Sequence, residues 1–332
     1  MRRRDFIAAF AGGAASWLLA ARATQVPTLP KVGVLMPLLE SDPTAQSLVA
    51  AFRGALAKLG WTEGSNLQID VRWGDPNSAL LARYAAEPVA LGPQVLVCTG
   101  TVALKALSQQ TSTIPIVFAS VLDPVGQGFV QSLARPGGNI TGFSIDTGFS
   151  FTGKWVEMLR QIAPPVAHIV VLFNPETTPF ADPQILAIKE AAQSFGQDVR
   201  IAPVHDVSEL EEAMRVGLAP EEHGALMVLP SPFAVAHRVA IIAFAAKRRL
   251  PSLYSFPVFA ADGGLISYGQ DLTDPQRHTA EYVDRIVKGE APGDLPVQTP
   301  VSFKLVINLK TARALGITIA PSLLALADEV IE

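Results

Sequence analysis

The run QVLVCTGTVALKALSQQTSTIPIVFAS, residues 94–120, carries enough pattern to set an architecture. Val95 to Cys98 are apolar in succession and are closed by Thr99-Gly100. A run with no polar face reads as a strand buried on both sides. Residues 101–110 then space Ala103, Ala106 and Leu107 at helical intervals, and 114–120 return to a second apolar run. A hairpin would join two strands through a few turn residues. A helix between them makes the strands parallel and lays the helix over the sheet.

The same alternation extends both ways. Upstream, the pattern predicts strands at 31–38 and 67–73 and helices at 44–60 and 79–91, with Gly60 as a helix stop. Asp123-Pro124 predicts a capped helix running to Ala134. Beyond residue 150 the series restarts. Helices are expected at 151–163, 179–196, 208–219 (opened by a Ser208/Glu211 capping box) and 232–249, and strands at 168–174, 197–204, 224–231 and 250–257. The chain therefore holds two α/β units of similar size and order, without a residue-level repeat. The tail offers a Gly-led strand at 263–271 and helices at 274–289, 303–316 and 321–332. This is too little for a third domain, so the chain is expected to recross between lobes.

Composition narrows the class. Apolar residues make up 49% and charged residues 17% of the 332 positions, a globular balance. The net charge is −4, and removing residues 1–23, with four arginines and one aspartate, leaves the rest near −7. That excludes a nucleic-acid partner of the usual kind, which needs basic patches. The "KRR" at 247–249 reads as a helix C-terminus. Cys98 is the sole cysteine, in an apolar run, and reads as an inert core thiol. The first residues, MRRRDFIAAFAGGAASWLLAARA, show the basic, apolar and small-residue layout of an export signal, with cleavage expected after Ala23 and a periplasmic destination. Arg3-Arg4-Asp5-Phe6-Ile7 fits the twin-arginine pattern, the general route being the alternative, as retention as an anchor is to cleavage.

Catalytic signatures are missing from this sequence. There is no G-x-G-x-x-G after the first strand and no phosphate-loop lysine motif. GFSID at 142–146 has Asp146 where a nucleophile elbow needs glycine. The five histidines never fall at metal-ligand spacing, so no metal and no cofactor is expected. Binding remains. In parallel α/β sheets ligands sit beyond the carboxyl ends of the strands. Those ends offer Thr99, Thr101, Ser120, Asp123, Asn174, Ser231 and Tyr254, a set that suits a small zwitterion: hydroxyls and free N–H groups for a carboxylate, Asp123 for an ammonium. Ser231 and Asp123 also read as plain N-caps. Phe118, Phe173, Phe256, Phe259 and Tyr268 bring aromatics near the same ends, for a pocket wall or for ordinary core packing. Ser41 and Glu40 follow the first strand.

DPVGQGFVQSLARPGGNITGFS (123–144) and LVINLKTARALGITIAPSLLALADEVIE (305–332), with RRLPSLYSF and GLISYGQD between them, resemble the ABC-transporter substrate-binding proteins related to tryptophan/tyrosine-type binding proteins. The resemblance runs over nearly the whole chain after the signal. It implies a type I periplasmic-binding fold: two Rossmann-like, doubly wound lobes with parallel sheets, joined by a multi-strand hinge and closing on a ligand. It also implies a permease and an ATPase on separate chains, membrane contact only through that permease, and a monomer carrying an amino-acid-like solute rather than an enzyme. Lobe 1 is expected at 24–141, completed by 268–300, and lobe 2 at 142–267, completed by part of 301–332. A ligand sensor for a membrane receptor, a DNA-binding regulator and an exported α/β enzyme are the other classes. The regulator would need a helix-turn-helix where the signal stands, and the enzyme a clustered catalytic set.

Two Gly-led segments are expected to form the hinge. RPGGNITGFS (135–144) turns at Gly138 and Asn139 and bends at Gly142, and Gly263-Gly264 lead the strand that holds Tyr268 back across.

Overall fold

The computed structural model describes residues 29–75, 78–145, 151–162, 166–215, 224–299 and 302–332. The export segment 1–23, the elbow-like Asp146 and His223 lie outside the described residues. The first unit runs β1 (Lys31–Met36), α1 (Pro43–Lys58), β2 (Gln68–Trp73), α2 (Ser78–Tyr84), α3 (Ala86–Ala90), β3 (Val95–Thr99), α4 (Gly100–Ser108), β4 (Ile116–Val121) and β5 (Ile140–Ser144). The second begins with α5 (Thr152–Ile162), β6 (His168–Phe173), α6 (Ala181–Gln193), β7 (Asp198–Pro203) and α7 (Leu210–Arg215). It continues through β8 (Gly224–Val228), α8 (Pro232–Ala236), α9 (Arg238–Lys247), β9 (Ser252–Tyr254), α10 (Pro257–Ala261) and β10 (Ile266–Gly269). The tail adds α11 (Thr273–Val287), β11 (Lys304–Asn308), α12 (Leu309–Leu315), α13 (Pro321–Leu324) and β12 (Glu329–Ile331).

The first sheet is parallel throughout, in the order β2-β1-β3-β4-β5. The second, read from its far edge, is β7-β6-β8-β9-β10, the same winding repeated; β11 then joins antiparallel to β10 and β12 parallel to β11. The molecule is thus a two-lobed α/β protein with a hinge region. Helices cover both faces of the first sheet. Phe52 and Leu56 of α1 pack with Val283 and Ile286 of α11 over Val32, Val34 and Val97, while Leu104 and Leu107 of α4 and Leu81 of α2 cover the opposite face. Each such side chain contributes roughly 1.5–3 kcal/mol by leaving water. The tail helix α11 is therefore built into the first lobe, and Asp284 accepts a hydrogen bond from Trp61 Nε1 at 2.9 Å. A third apolar cluster runs from Met36, Leu38, Leu48 and Ile145 into the second lobe, so the two lobes touch.

The chain passes between the sheets after Ser144, after Gly269 and after Gln298. Gln298 N donates to Gly142 O at 3.0 Å and its carbonyl accepts from Ser144 N at 2.8 Å, which sets the third passage beside β5. Lobe cuts at 141/142 and 267/268 fall inside β5 and β10, whose ladders hold to Ser144 and Gly269.

The glycine pairs lie at the other ends of these strands. Asn139 Nδ2 donates to Ile114 O at 2.8 Å, and Gly137 N reaches Gly293 O at 3.3 Å, tying the Gly138 turn to the base of the lobe. Gly263 and Gly264 donate to Ala260 O and Phe259 O as the C-terminal turn of α10. Gly138, Asn139, Gly263 and Gly264 thus sit in the turns that lead into these strands. Gly142 sits in the ladder, where φ of +151° and a close approach demand glycine: a Cβ there would lie 2.1 Å from Phe118 O.

Other expectations are corrected. Residues 124–134 form successive turns instead of a helix, because Gly126 and Gly128 interrupt the run and Asp123 Oδ1 caps only Gly126 N at 3.0 Å. The expected helix at 303–316 splits. Leu305, Val306 and Ile307 fit a pleated ladder, and Asn308 then caps α12 by accepting from Thr311 N at 3.0 Å. The end of the chain likewise holds β12, so residues 263–332 carry three strands, β10 to β12, where one was expected. Asp206, not Ser208, caps the turn before α7. The 79–91 and 232–249 helices each break into two.

A ligand cleft between the lobes

Three stretches at the carboxyl ends of first-lobe strands meet three from the second lobe around a cavity of about 60 Å³. Thr99, Gly100 and Thr101, where β3 turns into α4, form one wall with Ser120 at the end of β4. Thr177 and Ser231 face them from the second lobe, and Ile145 and Leu272, on two of the passages, close the floor. Leu38, Leu48, Phe180, Val235 and Phe256 make the apolar remainder. Among the described residues no charged side chain lines this cavity. A second cavity of about 320 Å³ adjoins it and shares Leu48, Phe256 and Leu272.

The polar groups have a consistent bias. Thr99 Oγ1 accepts from Gln276 Nε2, Ser120 Oγ accepts from Gln270 Nε2 at 3.3 Å, and Ser231 Oγ accepts from Ala234 N at 3.1 Å. Each hydroxyl therefore keeps its own proton to give. Thr101 is 4% exposed and its Oγ1 has no hydrogen-bond partner. It stands in the first turn of α4, whose N-cap supplies no side-chain bond, so the positive end of the helix dipole faces the same space. Hydroxyl protons and a helix N-terminus converge on an electron-rich guest.

Ser120 reaches its place through a bulge. The β4–β5 register shifts between Ala119 and Val121, and Ser120 takes φ of +57°, an uncommon conformation for a non-glycine residue. Local strain of this kind persists where the surroundings hold it, and here Gln270, 4% exposed, does so.

Thr99, Thr101, Ser120 and Ser231 are brought together as the sequence suggested. The others are not. Asn174 spends its amide on the backbone around it: Oδ1 accepts from Thr177 N and Oγ1 of its own loop at 2.8 and 2.7 Å, and Nδ2 donates across to Val204 O, just past β7, at 2.9 Å. It shapes the loop that presents Thr177. Asp123 is occupied at its turn and does not line the cavity. Ser41 is exposed in the turn before α1, beside Glu40. Tyr254 is fully buried and stacks on Phe259 at 4.9 Å, and burial pushes its phenol pKa up. Tyr268 lies outside the cleft, stacked on Phe303 at 5.7 Å, with its hydroxyl accepting from Lys154 Nζ at 3.2 Å. Of the aromatics named from sequence, Phe256 lines the cleft, while Phe118 is core.

Sequence reasoning missed Leu38, Leu48, Thr177, Phe180 and Leu272, and the two buried glutamines. Gln270 had a visible signal, since it follows directly on a strand end in GLISYGQD. Gln276 had none, because only the return of α11 to the first lobe brings it to Thr99. Cys98 is buried and its thiol pKa is driven up by desolvation, which fits an inert core position. No helix among the described residues is long and apolar enough to cross a membrane, and no cluster of metal-ligating side chains occurs among them.

Residues 31–331 match the family of ABC transporter substrate binding proteins. The structure is similar to that of the ABC domain from Streptococcus pneumonia in complex with L-Trp, at 26% identity, covering 92% of this chain and 100% of that one, with a TM-score of 0.81. It is equally similar, at 0.81, to a conserved domain protein of Vibrio cholerae, with 30% identity and coverage of 91% and 100%. A tyrosine-binding protein of Clostridioides difficile is 23% identical over 278 residues, 83% of this chain and 79% of that protein.

Proposed function

The chain belongs to the ABC-transporter substrate-binding protein family, and from that premise we propose that its solute is an L-amino acid with a large apolar or aromatic side chain. The family is non-catalytic: the protein is an extracytoplasmic solute-binding component of an ABC transporter that takes a small ligand by closing its cleft. One observation carries the choice of ligand. A buried, unpaired Thr101 hydroxyl stands at an uncapped helix N-terminus, in a cleft whose other polar groups are neutral hydroxyls and which has no lining charge among the described residues. A carboxylate would accept from Thr101 and the adjoining N–H groups. The apolar body would lie against Leu48, Phe256 and Leu272 and extend toward the larger cavity, within the volume usual for small-ligand sites. L-Trp in the pneumococcal protein supports this reading.

A thermal-shift panel tests it. L-tryptophan, L-tyrosine, L-phenylalanine, small polar amino acids and sugars are each added to the purified protein. A ligand that binds only the folded state raises its melting temperature. The aromatic amino acids are expected to do so and their amides to fail; a response confined to sugars, or none from any amino acid, contradicts the proposal.

The finer features follow as part of the same proposal. The chain is cleaved after Ala23, leaves by the twin-arginine route, and serves as a monomer a permease and an ATPase carried on separate chains. Lobe 1 comprises the segment after the signal through Ser144 with the 273–298 return, and lobe 2 the segment through Gly269 with the remaining tail. N-terminal sequencing of exported protein is expected to begin at Thr24.

A further inference from the structure

Arg238 opens α9, yet its side chain is turned inward and only 8% exposed. Both facts oppose ordinary placement. A cation at a helix N-terminus faces the positive end of the dipole, and a buried charge is costly unless paired. Two carboxylates compensate. Nε lies 2.6 Å from Asp262 Oδ2, at the end of α10 in the same lobe. Nη1 lies 3.2 Å from Asp42 Oδ2, in the opposite lobe, and donates to Val235 O at 2.8 Å. Asp42 is itself shared, because its Oδ1 caps α1 by accepting from Thr44 N at 2.7 Å and Ala45 N at 3.4 Å. One aspartate thus joins the first turn of a first-lobe helix to a second-lobe arginine, on the wall of the cavity adjoining the cleft.

We propose that Arg238 is a positioning residue for closure, a latch that grips Asp42 when the lobes meet and releases it when they part. Asp262 stays with the guanidinium in both states, so opening never strands an unpaired cation. Because Asp262 also fixes the fork beforehand, little side-chain freedom is lost when Asp42 arrives. Asp42 caps α1 throughout and gains water when the lobes separate. The latch favours the closed state whichever solute fills the cleft, and so tightens the hold on any ligand by shifting the open–closed balance.

This inference rests on lobe closure and not on the amino-acid reading, and a ligand-free measurement keeps the two apart. Lys58→Cys and Lys189→Cys place spin labels at exposed positions on the two lobes, with buried Cys98 left unlabelled. Electron–electron distance measurement then reads lobe separation in the full chain with no solute added. Asp42→Asn and Asp42→Ser both preserve an N-cap while removing the anionic half of the latch. Each is expected to lower the closed-to-open ratio about ten-fold and move the distribution to longer distances, with the melting midpoint changed by at most a few degrees. Arg238→Lys, which keeps the charge but loses the fork, is expected to give a smaller shift in the same direction. Unchanged distances in both Asp42 variants overturn the proposal. Should those variants fail to fold, Arg238→Lys decides: longer distances support the latch and unchanged ones overturn it.

Discussion

Thr101 is the residue on which the binding account turns. Its hydroxyl is buried and unpaired, which costs the folded protein about 1–3 kcal/mol and is retained in a position facing a cleft. Thr101→Val keeps the shape and removes the orphan. The variant is expected to be more stable by roughly 1 kcal/mol in urea unfolding. Asp123 makes the opposite case. It reads from sequence as an ammonium partner, but its carboxylate is committed to Gly126 N, and Asp123→Asn is expected to leave ligand affinity within about two-fold. A sequence displays which residues end a strand. It does not display whether a polar atom is already satisfied, and that separates Thr101 from Asp123 and Asn174.

At the scale of elements, the strands that the apolar runs announced are where they were expected, because burial on both faces leaves no competing pattern. The failures are at breaks. Two glycines dissolved the helix expected after Asp123, and three ladder-forming residues ahead of Asn308 turned a helix into β11 followed by α12. The Gly-led segments were legible as turns opening their strands, with a bend expected at Gly142. Gly142 answers to β4 instead, and Gly142→Ala is expected to cost about 3 kcal/mol or more in urea unfolding, since the added carbon meets the Phe118 carbonyl. The loop after β6 carries a pH signature. His205 Nδ1 lies 2.6 Å from Glu176 Oε1, and this hydrogen bond raises the histidine pKa above its ordinary value near 6.5. Burial is the largest single influence on Glu176 and acts upward, but the hydrogen bond and charge of His205, a backbone hydrogen bond and the Asn174 side chain together outweigh it, leaving the carboxyl lowered. The histidine's contribution is full below its unfolded pKa and is lost as pH rises through the raised one. The carboxylate's holds above its unfolded pKa and is lost as pH falls through the lowered one. The loop is therefore firmest at mildly acidic pH. An NMR titration of the imidazole is expected to place its midpoint above 6.5, and Glu176→Gln to bring it down; an unmoved midpoint contradicts the pair.

Over the whole molecule, the two α/β units, the shared winding and the return of the tail were readable, because the order of elements survives where residue identity between lobes does not. The composition of the cleft was half readable. Strand ends point at it from within one lobe, but Gln276 and the Arg238–Asp42 contact arise from segments 177 and 196 residues apart that meet only through the passages between lobes. What makes the protein a carrier is that both lobes furnish its walls, so a bound solute gains contacts only when they close. The most direct test is a calorimetric titration of L-tryptophan into the wild-type protein and into Thr101→Val. The account predicts saturable one-to-one binding to the wild type and an affinity about ten-fold weaker in the variant, equivalent to roughly 1.4 kcal/mol. Equal affinities, or no heat from L-tryptophan with either protein, would contradict it.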